Sequence, residues 1–142
     1  MAENIVYDHR KTCFSEQQLL RLYDSVGWTA YTQDPSKLMR AVRSSPDVIT
    51  AWHEKTLCGL IRTISDGKTI LYIQDILVLP DYQRMGIGTE LLKKILAKHE
   101  SIRQVVLLTD DTENTRKFYL SNGFQPAGEK NLLCLVRITD SK

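Results

Sequence analysis

Between Asp75 and Leu96 the chain reads DILVLPDYQRMGIGTELLKKIL. An apolar run stops at Pro80, glycines follow at 86 and 88, and from Ile87 apolar residues recur every three or four positions. The run fits a strand and the recurrence an amphipathic helix, so the glycines lie where strand hands over to helix. Glycine is costly there, because it loses more conformational freedom on folding than any other residue. The first turn of a helix leaves N–H groups without intrahelical partners, and with the helix dipole they favour an anion. Arg84 adds positive charge and Thr89 a hydroxyl donor, so the turn suits a phosphate or pyrophosphate. Taken alone, so short a pattern is explained better by a tight turn at Gly86 and close packing at Gly88. Its context has to decide.

Upstream, Asn4 to His9 form a short strand pattern, and Ser15 with Gln18 makes a capping box for a helix whose apolar stripe is Leu19, Leu20, Leu22 and Tyr23, extended by Val26 before Gly27 ends it. WTAYTQD, residues 28–34, reads as a loop, and Asp34-Pro35 opens a second helix with Leu38, Met39 and Val42 on its apolar side. VITAWHE, LCGLIRTISDG and TILYIQDILVL follow as three strands, with Asp66-Gly67 a hairpin turn, so antiparallel neighbours are expected. After the helix from Ile87 to His99, QVVLLT reads as a strand buried on both faces. A helix over DTENTRKFYLSN ends at Gly123, and LLCLVRI reads as a closing strand. This is a mixed α/β layout around one sheet.

The 142 residues suit one domain, and a net charge of +2 with no dense basic block argues against nucleic acid as a partner. Lys93, Lys94 and Lys98 read as the wet face of a helix. No apolar run approaches the roughly 20 residues that span a bilayer, and the N-terminal residues lack the apolar core of a signal peptide. No membrane association and a cytoplasmic, reducing location are the expectation. Cys13, Cys58 and Cys134 fit that compartment; Cys58 and Cys134 lie in apolar segments and read as packed small hydrophobes. His9, His53 and His99 have no metal-ligand spacing, so no metal is expected.

Two phosphate-binding patterns can be tested on the glycine turn. A P-loop needs a Lys after its last glycine, and Thr89 follows Gly88. A dinucleotide fingerprint needs a third glycine where Leu91 stands, after a parallel rather than an antiparallel strand order. The residues Gln83-Arg84-Met85-Gly86-Ile87-Gly88 instead match in full the Q/R-x-x-G-x-G/A motif of the GCN5-related N-acetyltransferase (GNAT) superfamily, which this chain resembles. ENTRKFYLSNGF resembles that family's cofactor-side helix, with Asn114, Phe118, Tyr119, Gly123 and Phe124 in register. The order of elements agrees along nearly the whole chain.

The resemblance implies an acyl-CoA N-acyltransferase fold over residues 1–142, a mostly antiparallel twisted sheet flanked by about four helices. It implies acetyl-CoA as donor, a primary amine as acceptor and a possible homodimer. The backbone of Ile76, Leu77 and Val78 would hold the pantetheine arm where the strand splays from its neighbour, as if a strand were added. Gln83, Arg84, Met85, Gly86, Ile87, Gly88 and Thr89 would take the pyrophosphate, and Asn114, Phe118 and Tyr119 would lie along the cofactor. Gln83 and Arg84 also read as solvated loop residues. Tyr119 matches the family's tyrosine near the cofactor sulfur, an acid for the leaving thiolate; its alternative is a buried phenol with a local bond.

Asp75 stands in an apolar strand, where a carboxylate is expensive unless paired or functional. It reads as a base or an anchor for the acceptor ammonium, or as a structural hydrogen-bond acceptor. Asp110 and Asp111 are weaker candidates, because acids before a helix often only cap it, and His53 and Glu54 share a hairpin end. Trp28 and Tyr31 offer an aromatic wall for an aryl or alkyl amine, or simply fill the core. A small-molecule amine acetyltransferase is the leading expectation; a protein Lys or N-terminal acetyltransferase and a non-catalytic acyl-CoA sensor are the alternatives.

Overall fold

A computed structural model describes residues 4–139 of the chain. They divide into two units, one running through Leu108 and one beginning at Thr109.

The first unit is built on a five-stranded sheet in the order β1-β2-β3-β4-β5. Its strands are β1 (Ile5–Asp8), β2 (Asp47–His53), β3 (Thr56–Ser65), β4 (Ile70–Val78) and β5 (Gln104–Leu107). The first four pair antiparallel in chain order, and β5 returns parallel to β4. A parallel return needs a crossover, and α4 (Ile87–Lys98) supplies it.

Four helices belong to this unit. α1 (Glu16–Ser25) carries the expected Ser15–Gln18 capping box, and α3 (Pro35–Ser44) is capped by the Asp34 side chain with Pro35 in its first turn. Residues 28–34, expected as a loop, contain the single helical turn α2 (Thr29–Thr32). One turn is too short to show a period in sequence, and it is closed by Tyr31 N–H donating to the Trp28 carbonyl and Gln33 N–H to that of Thr29. The core joins Leu19, Leu22 and Tyr23 of α1, Leu38 and Val42 of α3, and Ile87, Leu91, Leu92 and Ile95 of α4 to Ile49, Leu60, Ile61, Leu71 and Ile73 of the sheet.

Gly59 on β3 sets the seat of α4. A Cβ built there would lie 3.0 Å from Ile87 Cγ2 and 3.3 Å from Leu91 Cδ1. The glycine therefore lets the first turn of α4 pack closely on the strand. The lysine face of α4 is not wholly solvated: Lys98 and His99 pair with Asp47 on β2, and Lys94 lies over the Tyr7 ring.

The second unit holds α5 (Glu113–Ser121) and a 3₁₀ turn over Ala127–Lys130. Thr112, not Asp110 or Asp111, caps α5. Gly123 follows in a left-handed conformation, φ 89°.

Two expectations for strands are corrected. β5 is half-buried rather than buried on both faces, because it ends the sheet and has β4 alone as a neighbour among the described residues. LLCLVRI, residues 132–138, forms no strand, and Cys134 within it is exposed rather than packed. An apolar run shows that a segment can be buried, but it does not supply the neighbour that a strand requires. Cys58, by contrast, is buried as expected. No helix among the described residues is long and apolar enough to cross a membrane.

Candidate active site

β4 keeps β3 beside it but loses β5 part-way along its length. Arg62 pairs with Asp75, but Thr63 pairs with Ile73, so Gln74 is an extra residue on β4, a β-bulge. β5 pairs with β4 only from Ile70 to Ile73. Past Gln74 the β5-side edge of β4 therefore has no strand beside it among the described residues. Leu79 N–H donates to the Cys58 carbonyl at 2.9 Å, so Leu79 faces β3. Alternation along an antiparallel pair then turns the backbone groups of Ile76 and Val78 toward the open edge. One of these groups is engaged: Gln83 Nε2 donates to the Val78 carbonyl at 3.0 Å and ties the glycine turn back to the strand end.

The turn itself differs from the starts of the other helices longer than one turn. α1, α3 and α5 each have a side chain, from Ser15, Asp34 and Thr112, bonded to a first-turn amide. α4 has none; it starts at Gly86 in the left-handed region, φ 84°. Arg84 is also left-handed at φ 66°, exposed and rare for a side chain of its kind. The N–H groups of Ile87, Gly88 and Thr89 are thus left without a side-chain cap among the described residues, as an anion-binding turn requires. Met85 is half-buried beside them.

At the bulge lies a buried polar cluster. Asp75 is 2% exposed. Its Oδ2 accepts from Arg62 Nε at 2.7 Å and from the Tyr23 hydroxyl at 2.8 Å, and its Oδ1 from the Tyr31 hydroxyl at 3.0 Å. The Tyr31 hydroxyl also accepts from Gln74 Nε2 at 2.8 Å, so the bulge residue itself holds the phenol. Arg62, 6% exposed, also donates from Nη1 to Ser45 Oγ at 3.3 Å. Burial and the Asp75 charge push both phenols up, Tyr23 far above the ordinary tyrosine value, so each keeps its proton as a donor. Desolvation works against the Arg62 charge, but the Asp75 carboxylate outweighs it and raises the guanidinium value further. Trp28 and Tyr31 stand with ring centroids 6.1 Å apart, and Tyr23 meets both rings edge-on.

The expected residues Asp75, Tyr31 and Trp28 thus come together, and Gln83 meets Val78. Arg62, Tyr23 and Gln74 escaped sequence reasoning. Two lone opposite charges in successive apolar strands, Arg62 and Asp75, were the signal available for the pair. His53 bonds the Tyr82 hydroxyl through Nδ1 at 3.0 Å, while Glu54 is exposed. Asp110 and Asp111 are exposed, Asp111 paired with Arg116.

In the second unit, α5 carries Asn114, exposed, with Phe118 and Tyr119, both half-buried. The Tyr119 ring packs edge-on against Phe118 and Phe124, and burial pushes its phenol up to about 12.

Comparison with known proteins bears on this arrangement. The model of the family described as acetyltransferase (GNAT) domain matches residues 44–126, more than half of the chain. A GNAT-family acetyltransferase of Streptococcus pneumoniae superposes with a TM-score of 0.83 at 31% identity, over 96% of this chain and 99% of that one. An uncharacterized N-acetyltransferase, ycf52, of the alga Gracilaria tenuistipitata is 30% identical over 80% of this chain. A histone acetyltransferase of Glycine max is likewise 30% identical over 80% of it. The chain spans 65% and 54% of the length of these last two relatives.

Proposed function

The chain belongs to the GNAT acetyltransferase family, and from that membership we propose that it transfers the acetyl group of acetyl-CoA to a primary amine of a small molecule, with residues 1–142 as one catalytic domain. The observation that carries the reading is the open edge of β4 beyond the Gln74 bulge, which leads to an uncapped helix start at Gly86. That pair of features fits a donor with an amide-bearing arm and a pyrophosphate.

Acetyl-CoA supplies, when bound, a thioester carbonyl that an amine attacks, with a thiolate as leaving group. The backbone groups of Ile76 and Val78 hold the arm by strand-like pairing, with those of Leu77 between them turned to β3. The amides of Gly86 to Thr89 hold the pyrophosphate, with Arg84 adding charge and Gln83 and Met85 shaping the turn. A backbone N–H near Val78 donates to the carbonyl oxygen as charge builds there. Asn114 and Phe118 line the cofactor side.

Trp28 and Tyr31 form the acceptor's aromatic wall, and Asp75 acts there as an ammonium anchor. Asp75 is buried and both its oxygens already accept hydrogen bonds, so it acts from behind the Tyr31 hydroxyl as a fixed negative charge rather than as a base or a direct contact. The ammonium proton leaves directly to water. Tyr119, its phenol pushed up to about 12, stays protonated at pH 7 and serves as the acid that donates to the thiolate.

Thiol release measured with acetyl-CoA and a panel of amines tests the reading. Tyr119→Phe is expected to lower kcat at least about tenfold with little change in the acetyl-CoA KM. Unchanged turnover would leave Tyr119 a positioning role only. A relative named as a histone acetyltransferase favours a second reading, acetylation of protein amines. Mass spectrometry of lysate proteins treated with the enzyme and acetyl-CoA separates the two: new acetyl-lysine without turnover of small amines supports the second.

A further inference from the structure

We propose, resting on acetyl-CoA as the donor, that His53 is a positioning residue for it: through the Tyr82 hydroxyl it holds residues 83–88 in the shape that receives the pyrophosphate.

The turn is an unfavourable piece of backbone. Arg84 at φ 66° and Gly86 at φ 84° both lie in the left-handed region. Glycine has no side chain to oppose that conformation, but an arginine keeps it only where its surroundings hold it. Burial gives little hold here, because Gln83 and Arg84 are exposed. The turn has to be fixed from its two ends.

Packing fixes the downstream end. Ile87, 1% exposed, lies 3.0 Å from where a Cβ on Gly59 would stand, so the first residue of α4 is pressed onto β3. Hydrogen bonds shape the upstream end. Tyr82 N–H donates to the Leu79 carbonyl at 2.9 Å, Gln83 N–H to that of Pro80 at 3.2 Å, and Gln83 Nε2 to that of Val78 at 3.0 Å. All three close within six residues, so they shape the segment without joining it to another strand.

The Tyr82 side chain makes that join. Its hydroxyl meets His53 Nδ1 at 3.0 Å, and the two half-buried rings stand with centroids 5.7 Å apart. Either neutral tautomer of His53 makes the bond, since Nδ1 can accept from the phenol or donate to it. His53 is a firm post. It is the last residue of β2 and pairs with Ile5 on β1 and with Thr56 on β3. A residue with a strand on each side cannot follow a moving turn. Tyr82 is pinned to it, and Gln83 and Arg84 come next in the chain.

The test compares two donors. Acetyl-CoA carries the pyrophosphate; S-acetylpantetheine has the same thioester and arm without it. His53→Ala is expected to raise the acetyl-CoA KM, and the calorimetric Kd for CoA, about fivefold, the effect of one hydrogen bond. The kcat, the amine KM and the S-acetylpantetheine KM are expected to hold. Tyr82→Phe, which removes one oxygen atom, is expected to do the same, and the double variant no more than either alone. His53→Asn, with an amide atom as many bonds from the backbone as Nδ1, is expected to keep the wild-type Kd. In the ligand-free protein, ¹⁵N order parameters of residues 84–88 are expected to fall in His53→Ala and Tyr82→Phe and to stay high in His53→Asn. Equal losses with both donors, or wild-type CoA affinity in both Ala and Phe variants, overturn the proposal and leave the donor reading standing. Wild-type protein that binds no CoA overturns both. Should His53→Ala unfold, Tyr82→Phe decides.

Discussion

The cluster around Asp75 and the segment 132–138 reverse the usual placement of polar and apolar groups in opposite directions. At the first, a carboxylate, a guanidinium and the Tyr23 hydroxyl lie inside the core, with Tyr31 half-buried beside them. At the second, Leu, Val and Ile side chains lie in water. The inward reversal is closed locally, because Arg62, Tyr23 and Tyr31 supply three donors to the two oxygens of Asp75. The outward reversal has no such closure within its own unit. A buried charge without its partner costs more than the pair gains, so the cluster holds its geometry; exposed apolar surface instead drives association. One region fixes chemistry in place, and the other leaves apolar surface exposed.

The sharpest way to break this comparison is to unpair the buried charge. Asp75→Ala leaves Arg62 buried without its carboxylate and is expected to destabilise the fold by about 3–5 kcal/mol. At ~2–4 °C per kcal/mol for a chain of this size, Tm falls by roughly 10 °C. Arg62→Met/Asp75→Leu is expected to recover most of that stability but none of the acetyl transfer. Recovery of transfer in the double variant would show that Asp75 has no part in handling the acceptor.

Tyr31→Phe removes one donor from Asp75 and strands Gln74. A stability loss of about 1–3 kcal/mol is expected, with kcat/KM for the acceptor amine down about tenfold and the acetyl-CoA KM unchanged. Urea unfolding and steady-state kinetics on the same preparation separate the two effects.

The exposed segment gives a smaller, concentration-dependent signal. If two copies cover it, each tenfold dilution lowers apparent stability by up to about 1.4 kcal/mol. The Leu133→Asp/Leu135→Asp variant is expected to lose that dependence in thermal melts across a concentration series.

The smallest effect is alkaline. Burial raises the phenols of Tyr119, to about 12, and of Tyr23 above their unfolded value near 10. The folded state then holds these protons more tightly than the unfolded one, so their stabilising contribution is whole below pH 10 and is lost as pH rises toward 12. Tyr119→Phe is expected to flatten the pH 10–12 limb of a denaturant-midpoint profile and to leave it unchanged below pH 9.

What the sequence disclosed follows from the range of the forces involved. The caps at Ser15 and Asp34, the β2–β3–β4 hairpins and the glycine turn at 86 were legible because their signals lie within a few residues. The Arg62–Asp75 pair needed the register of two strands, and that register depends on one extra residue at Gln74. Nothing about a glutamine marks it as a bulge. Gly59 reads as any strand glycine until Ile87 is seen 3.0 Å from its missing Cβ. LLCLVRI misled for a related reason: its apolar pattern states a need for burial, and the chain leaves that need unmet in the described structure. The site was thus readable in its donor half, where backbone turns follow a motif. Its acceptor half comes from long-range side-chain contacts and was readable only as isolated candidates.

The claim on which the rest depends is that the open edge of β4 and the uncapped start of α4 bind one acetyl-CoA molecule. Amide hydrogen exchange, read residue by residue by NMR with and without saturating CoA, addresses it directly. The account expects slowed exchange at Ile76 and Val78, whose groups face the open edge, and at Ile87, Gly88 and Thr89, with Leu77 and Leu79 unaffected. Saturable CoA binding that leaves those five amides exchanging at their free rates, or no binding at millimolar CoA, would contradict it.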